Sequence, residues 1–432
     1  MLIAILCTIS CFMFLCLLAK KTGIGFIGAG AHPLGVFTAI QICIFSMPGV
    51  VLVSFIGVSS DRYSGIEQST LFNVGLWYFY SIFIIFFILF IIIFVFKPFN
   101  YQRAVMDAGY LDSSWNSCNL IVLISLVCVI LQVTLFSKSP LLFLLSGQTE
   151  QAYAARIAMQ IDPSSFYPPF IRTFLVFFTT FQAYYVFYAY NRLQKKYFFK
   201  TLVVFFSIGV AVFQSLYEAQ KAPLILFLVG LLFIRYIHKP KIITNAVYFG
   251  CILGIVLLLV SYVLGIDINS ALDGVVSRTF LGQNQGFYNI IEHIKPDSKY
   301  WFQDLYFAGS LGLNPSRADV DVIPYIYGSR DDIVNVNSYF LGQAWSMFGY
   351  LGLIVSPVIV ACALGFYLVV LDRLIKIDSK VFVPFMIFFI PSVMLNQSFT
   401  YFLYGKYFFL GLINIVIFYI IIRVSSRVKI IR

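Results

Sequence analysis

The residues able to do chemistry in this chain of 432 residues are few, and most fall into three clusters. Arg278 has little countercharge nearby except Asp273, and a planar guanidinium is suited to gripping phosphate through two parallel N–H bonds. Gln214, Glu218, Gln220 and Lys221 directly precede Ala222-Pro223 and a long apolar run. Proline in a first turn marks a helix start, so Lys221 is expected at a helix N-terminus, where its charge and the free backbone N–H groups both favour an anion. The same residues also read as a Glu218–Lys221 pair that neutralises itself in a tight turn. The third cluster is Arg317, Arg330, Asp331 and Asp332, followed by Asn335, Asn337 and Ser338. Its guanidinium and amide donors suit a phosphate-bearing headgroup, while Arg330 could equally form an exposed pair with Asp331 or Asp332, worth ~0 to 1 kcal/mol.

Other chemistries have weaker support. Asp319-Val320-Asp321 is formally a DxD pattern, which in sugar-nucleotide transferases holds a divalent metal through carboxylate oxygens, but three residues recur often by chance. There is no GxSxG, HExxH or phosphate-binding loop, and with only three histidines, His32, His238 and His293, no multi-histidine metal site is expected. All eight cysteines sit in or beside apolar segments with no CxxC among them, so neither disulfides nor a metal cluster are expected.

The elements that must position these residues follow from composition. With 61% hydrophobic and 11% charged residues, the chain has too little polar surface to cover two or three soluble domains, and lipid must be the solvent for most of it. Apolar runs near the ~20 residues needed for one helical span predict eleven helices: 2–19, 35–57, 72–96, 119–137, 169–190, 201–217, 222–237, 246–266, 338–371, 381–400 and 406–423. The fold class expected is therefore all-α and polytopic, one membrane domain over 1–432, with no internal repeat or linker.

The net charge of +11 forms no nucleic-acid stripe and instead reports sidedness. With the N-terminus outside and the C-terminus inside, the inner segments hold 18 of the 29 basic residues with four acids, leaving 11 basic and 14 acidic residues outside. Two longer polar segments then lie outside, 138–168 and 267–337. The second spans 71 residues, far beyond an ordinary connection, and such loops are commonly functional or disordered. Its aromatics, among them Phe287, Tyr288, Tyr300, Trp301 and Phe302, argue for ordered chain lying against the membrane. Val276, Phe280, Phe287, Ile291 and Ile294 share one helical face and Arg278, Gly282, Gln285 and Asn289 another. That is the outline of an interfacial helix, which either floats at headgroup level or turns Arg278 onto an anionic ligand. Sidedness also counts against a sugar-nucleotide role for Asp319 and Asp321, since sugar nucleotides are cytoplasmic and this pair is expected outside.

Three patterns, in this order, resemble the Wzy-type oligosaccharide repeat-unit polymerases and, more distantly, the O-antigen ligases. They are Glu218-Ala-Gln-Lys221-Ala-Pro opening an apolar helix, a large external loop beginning with an Arg-bearing helix, and the run from Asn337 to Gly352 with its Phe348-Gly349-Tyr350-Leu351-Gly352 step. The resemblance implies a helical membrane glycosyltransferase of the lipid-linked-sugar, GT-C-like class in a bacterial cytoplasmic membrane. It would join undecaprenyl-pyrophosphate-linked oligosaccharide units into a surface polysaccharide such as O-antigen or capsule, without metal or nucleotide cofactor. A flippase and a chain-length regulator are the implied partners.

The resemblance places basic residues on the pyrophosphate, here Lys221, Arg278, Arg317 and Arg330, and leaves Gln285, Asn289, Asn337 and Ser338 for the glycan. Ligases typically carry a His-Asn pair where this chain has Asn337-Ser338. A neutral amide is no base near pH 7, so the candidate bases are Glu218, Glu292, His293, Asp331 and Asp332. A transporter of the same glycolipids is the rival from another class, but it should show repeated halves and mid-membrane charges; neither is evident.

Overall fold

The computed structural model describes residues 32–58, 60–106, 115–136, 138–161, 169–218, 221–237, 277–303, 305, 311–313, 316–328 and 335–427, with isolated positions before residue 32. The longer helices are α1 (Pro33–Ile56), α2 (Gln68–Phe96), α3 (Trp115–Leu135), α4 (Thr149–Ile161), α5 (Pro169–Asn191), α6 (Phe198–Leu216), α7 (Lys221–Tyr236), α8 (Gln285–His293), α9 (Phe340–Phe348), α10 (Tyr350–Ile375), α11 (Ser379–Ser392) and α12 (Lys406–Arg427). No strand occurs among the described residues. Among the described residues, six helices are long and apolar enough to cross a membrane: α1, α2, α3, α6, α10 and the Phe408–Ser425 part of α12; α7 and α11 are apolar but shorter. Large apolar side chains such as Phe94, Leu135 and Phe205 stand exposed along them, as on helices whose solvent is lipid. This is the helical architecture of a membrane-embedded protein. Of the expected span 2–19 only isolated positions are described, and the expected span 246–266 lies outside the described residues.

The chain divides into two compact units. The first comprises residues 1–98, 241–369 and 393–406. Here α8 packs against α2 and α9, and the interior is partly polar: Ser54 and Tyr288 share a hydrogen bond of 2.7 Å, and Ser81 and Tyr339 one of 3.1 Å. The second comprises 99–240, 370–392 and 407–432. In it α5 lies against α3, α6, α7 and α11, and rings fill the interior. The Phe181 ring sits 4.4 Å from Phe418 and 5.0 Å from Phe385. The Gln182 amide and Ser207 exchange bonds of 2.8 and 2.9 Å, which stitch α5 to α6.

Two expectations are corrected. The single helix expected over 338–371 is two helices. Gly349 takes φ +60°, ending α9, and Gly352 brings the start of α10 so near that a Cβ would stand 2.0 Å from the Ala344 carbonyl oxygen. The helix expected over 381–400 stops at Ser392, just after Pro391. Asn396 Nδ2 instead donates to the Gln283 carbonyl at 3.0 Å, and Ser398 Oγ to Gln343 Oε1 at 2.5 Å. The described part of 138–168, the smaller segment expected outside, holds the helices Pro140–Leu145 and α4.

Candidate functional site

The loop's first helix, expected to run without a break from Val276 past Ile291, is broken. Ser277–Leu281 forms one wide π-type turn, closed by Gly282 N–H donating to the Ser277 carbonyl at 2.7 Å, and the chain turns again before α8 begins. The break is held from α1. Ser46 Oγ donates to Asn284 Oδ1 and Asn284 Nδ2 returns a bond to the Ser46 carbonyl, both at 3.1 Å. Gly49 approaches so closely that a Cβ there would lie 2.0 Å from the Phe280 carbonyl oxygen.

The polar face of α8 is turned into the protein. Gln285 and Asn289 are each 1% exposed, as deeply covered as Phe287 on the apolar face. An amide can be buried at this depth only where its donors and acceptors are met, and the residue that meets them is Arg62, in the short turn Asp61–Tyr63 between α1 and α2. Gln285 Nε2 donates to the Arg62 carbonyl at 3.3 Å, and Asn289 Nδ2 to the Gln285 carbonyl at 2.9 Å. In return the half-buried Arg62 guanidinium donates through Nη1 to Gln285 Oε1 at 2.9 Å and through Nε to Ser277 Oγ at 3.0 Å. The Tyr327 hydroxyl donates to the same Gln285 oxygen at 3.0 Å.

Every oxygen on this guanidinium is neutral, and among the described residues no carboxylate pairs with it and Nη2 has no protein acceptor. Beneath it, Tyr63 donates to the Leu281 carbonyl. Burial above all, with Tyr288 beside it, pushes the Tyr63 hydroxyl well above its ordinary range, so it stays a donor. Sequence reasoning passed over Arg62. It sits beside Asp61 in a short turn, a pattern that reads as self-neutralising, and nothing local announces partners more than 200 positions away.

The structure brings four of the expected residues together. Gln285 and Asn289 lie one turn apart on α8, and the Asn337-Ser338 segment closes on the helix start, where Gly286 N–H donates to the Asn337 carbonyl at 2.7 Å. Two glycines make the approach possible, because a Cβ on Gly286 would stand 2.8 Å from the Asn337 oxygen and one on Gly342 2.5 Å from Ser338 Oγ. The Asn337 side chain is exposed and Ser338 half-buried. Tryptophans on both sides pin the loop to α9: Trp345 Nε1 donates to the Ile294 carbonyl at 3.0 Å and Trp301 Nε1 to the Met347 carbonyl at 2.8 Å. Glu292 falls three residues after Asn289 and seven after Gln285, on the same face, and is half-buried.

Other expected residues are already engaged. Arg317 holds Asp319 with two bonds, Nη2 to Oδ2 at 2.6 Å and Nε to Oδ1 at 3.3 Å. Asp321 accepts from the Tyr300 hydroxyl at 2.9 Å and pairs with Lys299 at 3.2 Å. The two DxD carboxylates therefore serve separate partners. The hydrogen bonds that the Lys299 ammonium donates to Tyr300 and Asp321 hold it above its ordinary range. His293 stacks on Tyr325 with ring centroids 4.9 Å apart.

Glu218 lies in the turn after α6, in the second unit. The preceding Tyr217 anchors that turn, its carbonyl accepting from Ser139 Oγ at 2.9 Å and from Leu141 N–H at 3.3 Å. Lys221 is the first residue of α7 and Arg278 lies in the π turn beside Ser277; their side chains, like residues Arg330, Asp331 and Asp332, lie outside the described residues. Comparison with family models, with characterised proteins and with solved structures returned no match.

Proposed function

We propose that this chain is a membrane glycosyltransferase that polymerises polyprenyl-pyrophosphate-linked oligosaccharide units. The observation that carries the reading is the Arg62 guanidinium. It is oriented by neutral oxygens alone, leaves a donor free, and lies beside buried amides on a loop clamped to a membrane helix. A cation fixed in this way favours an incoming anion, since no internal ion pair has to be broken first. In the reaction, a hydroxyl oxygen of one unit attacks the anomeric carbon of another. The bond from that carbon to the pyrophosphate oxygen breaks, and its electron pair leaves with the pyrophosphate.

Arg62, and Arg278 next to Ser277, stabilise the charge that builds on the leaving group. Glu292, on the Gln285–Asn289 face, takes the hydroxyl proton. Asn337 and Ser338 supply donors and acceptors for sugar hydroxyls.

The test is polymerisation by the purified chain supplied with a polyprenyl-pyrophosphate repeat unit, read as the ladder of product lengths. Losing charge-assisted bonds to a desolvated phosphate costs ~2 to 4 kcal/mol in the transition state, about 30- to 1,000-fold in rate. Arg62→Ala and Arg278→Ala should therefore leave single units in place of long polymer while the protein inserts at normal levels. Arg278→Lys should be strongly impaired too, because a point charge does not reproduce the fork. Normal ladders from both alanine variants would overturn the assignment.

A further inference from the structure

In the second unit, α3 and α6 leave a groove of about 690 Å³ between them, lined by Trp115, Asn119, Leu126, Val203 and Phe206, with Lys200 at one end. From Trp115 to Leu126 it follows roughly 16 Å of helix, at about 1.5 Å per residue. Its walls are almost wholly apolar, and Phe199, Phe205 and Leu123 beside it face outward. In a membrane such a trough is filled by hydrocarbon rather than water. What distinguishes it from an ordinary lipid-facing furrow is the charge at its end.

The Lys200 ammonium lies 5.7 Å from the Trp115 ring centre and 5.2 Å from that of Tyr197. Lys195 and Lys196 stand exposed a turn away, with Lys196 over Tyr190 at 4.7 Å. The groove lining contains no acid, and among the described residues no carboxylate pairs with these three lysines. Aromatic faces hold the ammonium in place without neutralising it. Its charge remains available in the first turn of α6, and the end of a membrane-crossing helix is where headgroup phosphates are met.

We propose that this groove is a binding site for one anionic glycerophospholipid, its acyl chain laid between α3 and α6 and its phosphodiester on Lys200. A zwitterionic lipid offers the same hydrocarbon and phosphate, but brings an ammonium group that Lys195 and Lys196 repel. The site belongs to the second unit and does not depend on the proposed transferase activity.

The full chain purified in neutral detergent is titrated with phosphatidylglycerol or phosphatidylcholine, and bound lipid is counted by native mass spectrometry. Wild type should prefer phosphatidylglycerol, and Lys200→Ala should cut that preference about five-fold, the effect of one lysine near an anionic surface. Among the described residues the half-buried Lys200 ammonium meets rings and no carboxylate, so its loss breaks no ion pair there. Leu126→Trp, which fills the trough, should lower affinity for both lipids. Equal affinity of wild type for the two lipids, an unchanged preference in Lys200→Ala, or undiminished binding to Leu126→Trp would each overturn the site.

Discussion

Around Phe181 the second unit is held by rings: Phe385, Phe388 and Phe418 meet it at centroid distances of 5.0, 5.9 and 4.4 Å. Around Gln285 the first unit is held by amides, hydroxyls and glycines, with the chain of α8 pressed onto the backbone of Asn337. Both are interiors of a protein whose helices gain little from leaving lipid for one another, so close packing and satisfied polar groups must supply their cohesion. Rings interlock in many arrangements, and a substitution that trims one leaves neighbours able to relax. A network of directional bonds has one arrangement, and each member left unmet costs its full desolvation. The second kind of interior holds groups at fixed positions, as a binding site needs, and it is the less tolerant of change.

Glycine substitution should separate the two most sharply. At Gly286 a Cβ meets the Asn337 carbonyl carbon and oxygen, and backbone cannot swing aside; overpacking of this sort costs about 1 to 3 kcal/mol. Gly286→Ala should therefore lower the unfolding temperature of the purified chain and, by displacing Asn337 and Ser338, abolish polymer. Gly209, inside α6, has nothing within 4 Å of a built Cβ, so Gly209→Ala should stabilise by about 0.5 to 1 kcal/mol through helix propensity. Equal responses at the two positions would dissolve the contrast.

Gln285→Leu is the next largest. It keeps the volume of α8 but strips the acceptor from Arg62 Nη1 and from the Tyr327 hydroxyl, at about 1 to 3 kcal/mol. Turnover should fall further than thermal stability. Phe181→Leu, an apolar exchange in the other interior, should soften the fold while per-molecule turnover holds.

Much of this contrast was invisible in the sequence, for physical reasons. Runs such as Gln68–Phe96 declare themselves by length and hydropathy. The stop at Gly349 does not, because apolar residues continue on both sides and only a positive φ marks the break. Periodicity correctly placed Gln285 and Asn289 on one face of α8. It did not show that the face is buried in the protein, because hydropathy alone does not reveal that a distant arginine will satisfy buried amides. Arg62 was illegible since its meaning lies in Ser277, Gln285 and Tyr327, while its near neighbour Asp61 points to a simple turn.

The smallest expected effect lies at the loop's rim. Lys299 and Asp321 form a partly exposed pair, worth no more than ~1 kcal/mol. Because the Lys299 ammonium is held above its ordinary range, its contribution is complete below that range and fades as pH climbs through the raised value. Lys299→Met should lower the unfolding temperature slightly at neutral pH, and by less at strongly alkaline pH. A deficit that grows with pH would show that the lysine acts through something other than its charge.

Arg62 is joined to Ser277, Gln285 and Tyr327 across 215, 223 and 265 residues of chain. At synthesis rates of roughly 5 to 20 residues per second, about 11 to 45 s pass between the making of Arg62 and that of Gln285. Until Ser277 is made, shortly before that interval ends, the helices between them enter the membrane while the guanidinium has none of its three side-chain acceptors. The anion-ready arrangement therefore cannot be complete before Tyr327 has been made. A chain arrested before residue 277 already carries the apolar helices α1, α2, α3 and α6, yet it holds no formed cradle with which to capture a glycolipid.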